Sequence, residues 1–233
     1  MNDRNIEVAG ELTDVARRLQ LESTPEDTWQ RITELAVRTL DGCEFAGVSL
    51  VYPQRIDTPA ATDEVVKRVD AIQYETGQGP CLESIRDEEN LVSDDLEAED
   101  RWPAFTERAV KETSIRSMLA FQLFVREETL GALNLYSTRR YAFDDRDASV
   151  GSLFAAHAAL AMSNAEQRQH SEHMDDALAS SRTIGLALGI LMAQSQVDRE
   201  KAFAILSRAS QRSNVRIRAL AETIVKSVEE RAT

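Results

Sequence analysis

No proline follows Pro103, and from about Asp144 apolar and small residues recur in alternating steps of three and four. The series runs Leu153, Ala156, Leu160, Ser163, Gln167, His170, Met174, Ala177, Ser181, Ile184, Leu188 and Leu191. Such steps hold one stripe on one side of an α-helix, as in a heptad seam. With no proline to break it, the pattern predicts one long helix over roughly 145–194. The seam is polar in its middle, at Ser163, Gln167 and His170. A helix of that length does not hold alone in water, so its stripe must pack on something. The economical partner is the same stripe in a second copy, which predicts a coiled-coil homodimer.

Before this helix the pattern is mixed. Ile6, Leu12, Val15 and Leu19 recur at helical spacing, and after a break at Ser23-Thr24-Pro25 so do Trp29, Ile32, Leu35, Ala36 and Leu40. Pro25 suits the first position of a helix capped by Thr24. Residues 63–73 and 103–111 also read as helices, and another begins near Pro80. Strand signals occur at 45–52, 118–125 and 130–136, with Asn90-Leu91-Val92-Ser93 as a short strand and Arg126-Glu127-Glu128-Thr129 as a hairpin connection. Strands with helices segregated around them predict an α+β domain over 1–150, an antiparallel sheet flanked by helices.

After the long helix, Asp198 is a good N-cap for a helix carrying Ala202, Ile205, Leu206 and Ala209 on one face. Ser213 or Asn214 can cap the next, whose stripe is Ile217, Leu220, Ala221, Ile224, Val225 and Val228. Together with the end of the long helix these make a three-helix bundle over 178–233.

Charge separates the two parts. Residues 181–233 hold nine Lys/Arg against five Asp/Glu, a net of +4, whereas residues 1–180 hold 18 against 35, a net of −17. A basic module on an acidic one predicts an anionic partner for the module. No apolar run approaches the roughly 20 residues of a membrane helix, and the polar start Met1-Asn2-Asp3-Arg4-Asn5 shows no signal peptide. The expectation is a cytoplasmic protein without a membrane partner. Two cysteines, Cys43 and Cys81, fit free thiols in a reducing compartment.

The segment Ala187-x-Gly189-Ile190-Leu191-Met192, with Ala202-Phe203, Leu206, Arg208-Ala209-Ser210-Gln211, Asn214, Arg218, Leu220-Ala221 and Ile224-Val225, closely resembles an ANTAR domain over about 178–231. Upstream, Gly77-Gln78-Gly79-Pro80-Cys81, Arg101-Trp102-Pro103-x-Phe105, Arg116-Ser117-Met118-Leu119 and Leu130 to Leu135 look like the GAF sensor domain that precedes ANTAR in many actinobacterial regulators. The resemblance implies an RNA-binding transcription antitermination regulator, whose ANTAR modules bind paired stem-loops in nascent RNA as a dimer. Two positions depart from the family: Leu188 stands where Lys is common and Ser207 where Arg is frequent, which removes two phosphate contacts.

Candidate RNA contacts are Arg182, Arg208, Gln211, Arg212, Asn214, Arg216 and Arg218. Arginine pairs with phosphate through two N–H groups and stacks on unpaired bases, while Gln and Asn read base edges. Candidate ligand contacts in the sensor are Gly79, Cys81, Arg101, Trp102, Arg116 and Asn134, with Arg101, Trp102 and Arg116 bordering a pocket on one sheet face. Gly77 and Gly79 suit a tight turn into a helix. Cys81 at that helix start suits a packed thiol better than a reactive one. Gly185 and Gly189 each cost a helix about 1 kcal/mol relative to Ala, which suggests close helix packing or close approach of RNA.

No nucleophile–base pair and no metal motif is readable. His170 and His173, with Glu166 and Glu172, do not converge as ligands and suit a solvated face. The acidic run from Asp87-Glu88-Glu89 through Asp94-Asp95 to Glu97, Glu99 and Asp100 suits a solvated loop. The sequence names neither a cofactor nor the small molecule a sensor would bind. Two other readings stay open: an enzyme with its site in the sheet domain, and a tail that binds a protein partner.

Overall fold

The computed structural model describes residues 3–87, 90–126 and 128–232, with the side chains of 3–9, 11 and 231–232 left aside. Expectations for Met1-Asn2, the Ile6 side chain, Glu88-Glu89 and Glu127 lie outside the described residues. The elements are α1 (Asp3–Gln20), α2 (Pro25–Thr39), β1 (Phe45–Tyr52), β2 (Arg55–Ala61), α3 (Glu64–Thr76), α4 (Pro80–Asp87), β3 (Leu91–Ser93), α5 (Pro103–Glu112), β4 (Ser117–Val125), β5 (Glu128–Ser137), α6 (Asp145–Ser195), α7 (Arg199–Ser213) and α8 (Ile217–Ala232). The α+β class and the long helix are as the sequence implies.

The chain divides into two compact units, 1–167 and 168–233, and the division falls inside α6. The first unit is built on a five-stranded antiparallel sheet in the order β2-β1-β5-β4-β3. Alternation along the strands fills both faces. Ala46, Val48 and Leu50 of β1, Leu119, Phe121 and Leu123 of β4, and Leu133 and Leu135 of β5 pack with α1, α2 and the start of α6. Met118 and Tyr136 point to the other face and pack with Val66, Val69 and Ile72 of α3 and Phe105 and Ala109 of α5. Two glycines permit close approaches. A Cβ on Gly131 would lie 1.8 Å from the Ser49 carbonyl oxygen, across the β1–β5 ladder, and one on Gly151 would lie 2.3 Å from the Phe121 ring, under α6.

Local signals place the helix starts. Thr24 accepts the Asp27 N–H at 3.1 Å with Pro25 first in α2, Asp63 accepts from Val65 at 2.8 Å, and Asp198 accepts from Lys201 at 2.8 Å. Two differences concern turns. β2 is an addition to the strands expected from sequence; it carries Pro59 and survives at the sheet edge, where the register with β1 slips between Val48 and Leu50 and the missing N–H is tolerated. Asn214 does not start α8. It ends α7 in the left-handed region at φ 53, a conformation Asn tolerates.

The heptad seam separates into two parts. Residues Val150, Phe154, Ala155, Ala158, Ala159 and Met162 bury α6 against the sheet, and the seam residues Leu153, Ala156, Leu160, Gln167, Met174, Ala177 and Ser181 are left exposed. From Ile184 the seam turns inward: Leu188 is buried with Ala187, Ala202, Leu206 and Ala221 in the core of the second unit, with Ile184 and Leu191 packed against it. Although no membrane-length apolar run is evident in the sequence, α6 is, among the described residues, a helix long and apolar enough to cross a membrane.

Candidate functional site

Inside the first unit, polar side chains from five elements meet beneath the sheet. Asp70 of α3 is fully buried and accepts hydrogen bonds from the Tyr136 hydroxyl, from Thr58 at 2.8 Å and from Gln73 at 3.0 Å. Thr58 also contacts Tyr74 at 2.8 Å, and Tyr74 contacts Ser49 at 2.7 Å. Ser49 accepts from Asn134 at 2.9 Å and from the Cys81 thiol at 3.4 Å, and Gln73 closes the ring by accepting the Cys81 N–H at 2.9 Å. Asn134 Oδ1 is buried with no partner among the described residues. Burial disfavours every charged form here. It pushes the Asp70 carboxyl up to about 6, the Cys81 thiol up to about 12, and Tyr74 and Tyr136 upward.

Of the sensor residues expected from sequence, Cys81 and Asn134 belong to this network and Gly79 borders it. Ser49, Thr58, Asp70, Gln73, Tyr74 and Tyr136 were missed. Their signal is a polar residue at an inward position of an apolar pattern: Asp70 follows Val66 and Val69 on the buried face of α3, and Ser49 interrupts the run of β1.

A second feature is the turn between α3 and α4. Gly77 caps α3 at φ 66 and Gly79 has φ 132, conformations that favour glycine. A small cavity of about 190 Å³ lies over this turn, lined by Gly77, Gln78, Gly79, Glu83, Arg86, Arg101 and Trp102 among others. Trp102 is buried and donates from Nε1 to Glu83 at 2.7 Å, and the Arg101 guanidinium stacks 4.3 Å above its ring. Gln78 Oε1 accepts the Ala104 N–H at 2.9 Å, replacing a cap on α5. Gly79, Arg101 and Trp102 therefore come together.

Arg116 does not border this cavity. It pairs with Glu97 at 3.2 Å and donates to the carbonyls of Thr113 and Ile115. The same contacts tie down the acidic run at 94–100, which remains a largely solvated loop with Asp94, Glu97 and Asp100 exposed. Asp95 and Glu97 pair with Arg140, which is distant in sequence, and Glu99 pairs with its near neighbour Arg101. Cys43 is buried and its thiol is pushed up to about 12. Among the described residues no three His, Cys, Asp or Glu are grouped to hold a metal ion.

In the second unit, Arg208, Gln211 and Arg212 share the exposed side of α7, away from Ala202 and Leu206. Asn214, Arg216 and Arg218 are exposed in and just after the turn to α8, and Arg182 is exposed on α6. Arg218 pairs with Glu222 at 3.1 Å and lies 3.8 Å from Asp176. Arg208 donates to the Ala204 carbonyl of its own helix. Arg182, Arg199, Arg212 and Arg216 have no acidic partner among the described residues. Most arginines of the first unit contrast with these: Arg31, Arg68, Arg108, Arg139 and Arg140, for example, each pair with a carboxylate.

A GAF domain model matches residues 22–163, and an ANTAR domain model matches residues 172–225. The chain belongs to the GAF domain family and carries an ANTAR domain after it. This GAF–ANTAR protein thus joins a sensor module to an RNA-binding module of a regulator. No curated protein matches it. Among solved structures, a free methionine-R-sulfoxide reductase from Neisseria meningitidis, in complex with its substrate, is similar at 15% identity and a TM-score of 0.55, covering 72% of this chain and 95% of that one. The GAF domain of a phosphoenolpyruvate-protein phosphotransferase from Coxiella burnetii is similar at 12% identity and a TM-score of 0.54, covering 71% and 98%. Its counterpart from Acinetobacter gives 13% and 0.53, covering 72% and 97%. At these identities the likeness is one of fold.

Proposed function

We propose that this GAF–ANTAR protein is a cytoplasmic, homodimeric transcription antitermination regulator that binds paired stem-loops in nascent RNA under control of a small molecule in the GAF unit. The observation that carries the reading is the state of the arginines. Those of the acidic unit are largely neutralised by neighbouring carboxylates, while Arg182, Arg212 and Arg216 of the basic module are exposed without acidic partners. Unpaired guanidiniums on a module of net charge +4 favour a polyanion. Arg208, Gln211 and Arg212 would supply the α7 contacts, and Asn214, Arg216 and Arg218 those of the following turn.

The dimer rests on the exposed seam. Leu153, Leu160 and Met174 are each more than half exposed at heptad spacing on α6, and a second copy would bury them. The same helix supplies Phe154 to one core and Leu188 to the other, so a change in helix pairing would reach the RNA-binding module. A ligand would drive that change only through different affinities for the two pairings. The sensor site would be the cavity at Gly79, Arg101 and Trp102 together with the polar network behind it. We read the GAF unit as a sensor rather than a catalyst: burial keeps both thiols protonated, and a thiolate is the nucleophilic form.

The test is a salt titration of a tandem stem-loop RNA with wild type and an Arg212→Ala/Arg216→Ala variant. The variant should bind more weakly, and its plot of log affinity against log salt should flatten by roughly 0.7 per lost contact. Equal affinity and equal slope would exclude these arginines and favour a protein partner for the module.

A further inference from the structure

The two glycines near the end of α6 give an unexpected result. Gly185 and Gly189 are exposed, and a Cβ built on either meets nothing within 4 Å. Close packing within this chain therefore does not explain them. Beside Gly185, α6 and α7 enclose a groove of about 410 Å³ walled by Ile184, Gly185, Leu188, Arg199 and Phe203. Phe203 is 47% exposed, a large aromatic presented to the groove and left half uncovered. With Ile184 and Leu188 it gives the groove an apolar concave wall, the kind of surface that takes a ligand.

We infer that this groove receives an unstacked base of the bound RNA, which stacks on Phe203. The inference rests on the reading of the module as RNA-binding and assigns it a second contact surface. Phe203 and Arg212 are nine residues apart on α7, which at 100° per residue places them half a turn around the helix. The groove is thus distinct from the flank of Arg208 and Arg212. Charge supports an RNA occupant: Arg199 in the wall and Arg182 on the adjoining α6 surface are exposed without acidic partners among the described residues, so phosphates on either side of the base would meet them. Glu200, also in the wall, rejects phosphate from the groove itself and can accept a hydrogen bond from a base amino group. The missing side chains at Gly185 and Gly189 let the sugar–phosphate backbone approach α6. Recognition of splayed loop bases by stacking on aromatic rings is the usual route to single-stranded RNA.

The experiment uses the full chain and two labelled probes, an RNA hairpin pool with a randomised loop and a blunt duplex without a loop, each titrated at three salt concentrations. Phe203→Ala and Phe203→Leu should bind the looped RNA about 5- to 150-fold more weakly than wild type, the range of one base–aromatic stack, with the salt slope unchanged. Phe203→Tyr should bind as wild type. Gly185→Leu should raise the melting temperature, because a helical glycine is replaced in open space, and yet weaken looped-RNA binding. Duplex binding should be unaffected by all four. Wild-type affinity in Phe203→Leu overturns the stacking site while leaving the arginine surface standing. Loss of the dimer in Phe203→Ala, seen by light scattering, would assign the groove to a second copy and also overturns it. Failure of wild type to bind either RNA removes the RNA-binding reading itself.

Discussion

Asp70 offers a prediction whose size follows from its surroundings. Its carboxyl is fully buried, accepts three hydrogen bonds and has no cationic partner among the described residues. Burial outweighs the three bonds and raises it from the usual 3.8 to about 6. The folded protein therefore holds this proton more tightly than the unfolded chain, and stability falls as pH rises from about 4 to about 6, then levels. At about 1.36 kcal/mol per unit the whole effect is about 3 kcal/mol, of which about 1.3 kcal/mol falls between pH 5 and pH 7. Glu99, held low by its hydrogen bonds to Arg101, works in the opposite sense, but only as pH falls below the usual 4.5. Above pH 5 the two effects separate. In Asp70→Asn the Tyr136 hydroxyl still has an oxygen to bond and the titration is gone. The variant carries a constant cost for reorienting Thr58 or Gln73, and its stability relative to wild type improves by about 1.3 kcal/mol from pH 5 to pH 7. Urea unfolding followed by tryptophan fluorescence at pH 5, 6 and 7 measures both proteins. A gap that does not change with pH would refute the assignment of a strained, buried carboxylate to this position.

Three further outcomes are expected. Leu206→Ala, at the centre of the small core formed with Ala187, Leu188, Ala202 and Ala221, should cost about 2–5 kcal/mol; hydrogen exchange should show lost protection over 184–225 and retained protection in β4 and β5. Cys43 and Cys81, buried with thiols pushed up to about 12, should resist iodoacetamide at pH 8 in the native protein and react fully in urea, as read by mass spectrometry. Leu153→Glu/Leu160→Glu places charge in the exposed part of the α6 seam; light scattering should report about twice 26.0 kDa for wild type and the single mass for the variant.

Much of this molecule is written locally. The steps of three and four after Leu153 determine α6, Thr24-Pro25 and Asp198 set the starts of α2 and α7, and Gly77 and Gly79 set the turn into α4, because each depends on the φ/ψ preference or hydrogen bond of residues within one turn of one another. The spaced residues of the last fifty positions likewise identify the ANTAR module without a structure. Tertiary structure alone decided the rest. Pro59 argues against a strand until β2 is seen to be at an edge. Arg101 and Arg116 look equivalent until one stacks on Trp102 and the other is taken by Glu97. Asp70, Tyr136 and Ser49 look unrelated until α3, β5 and β1 bring them into one hydrogen-bonded network. Residues 184 and 188 continue the same stripe as 153 and 160, yet only the latter are left for a partner. The reason is common to all four. A backbone preference is satisfied by near neighbours in sequence, whereas a buried charge, a buried polar atom or an apolar stripe is satisfied by whatever the topology brings against it.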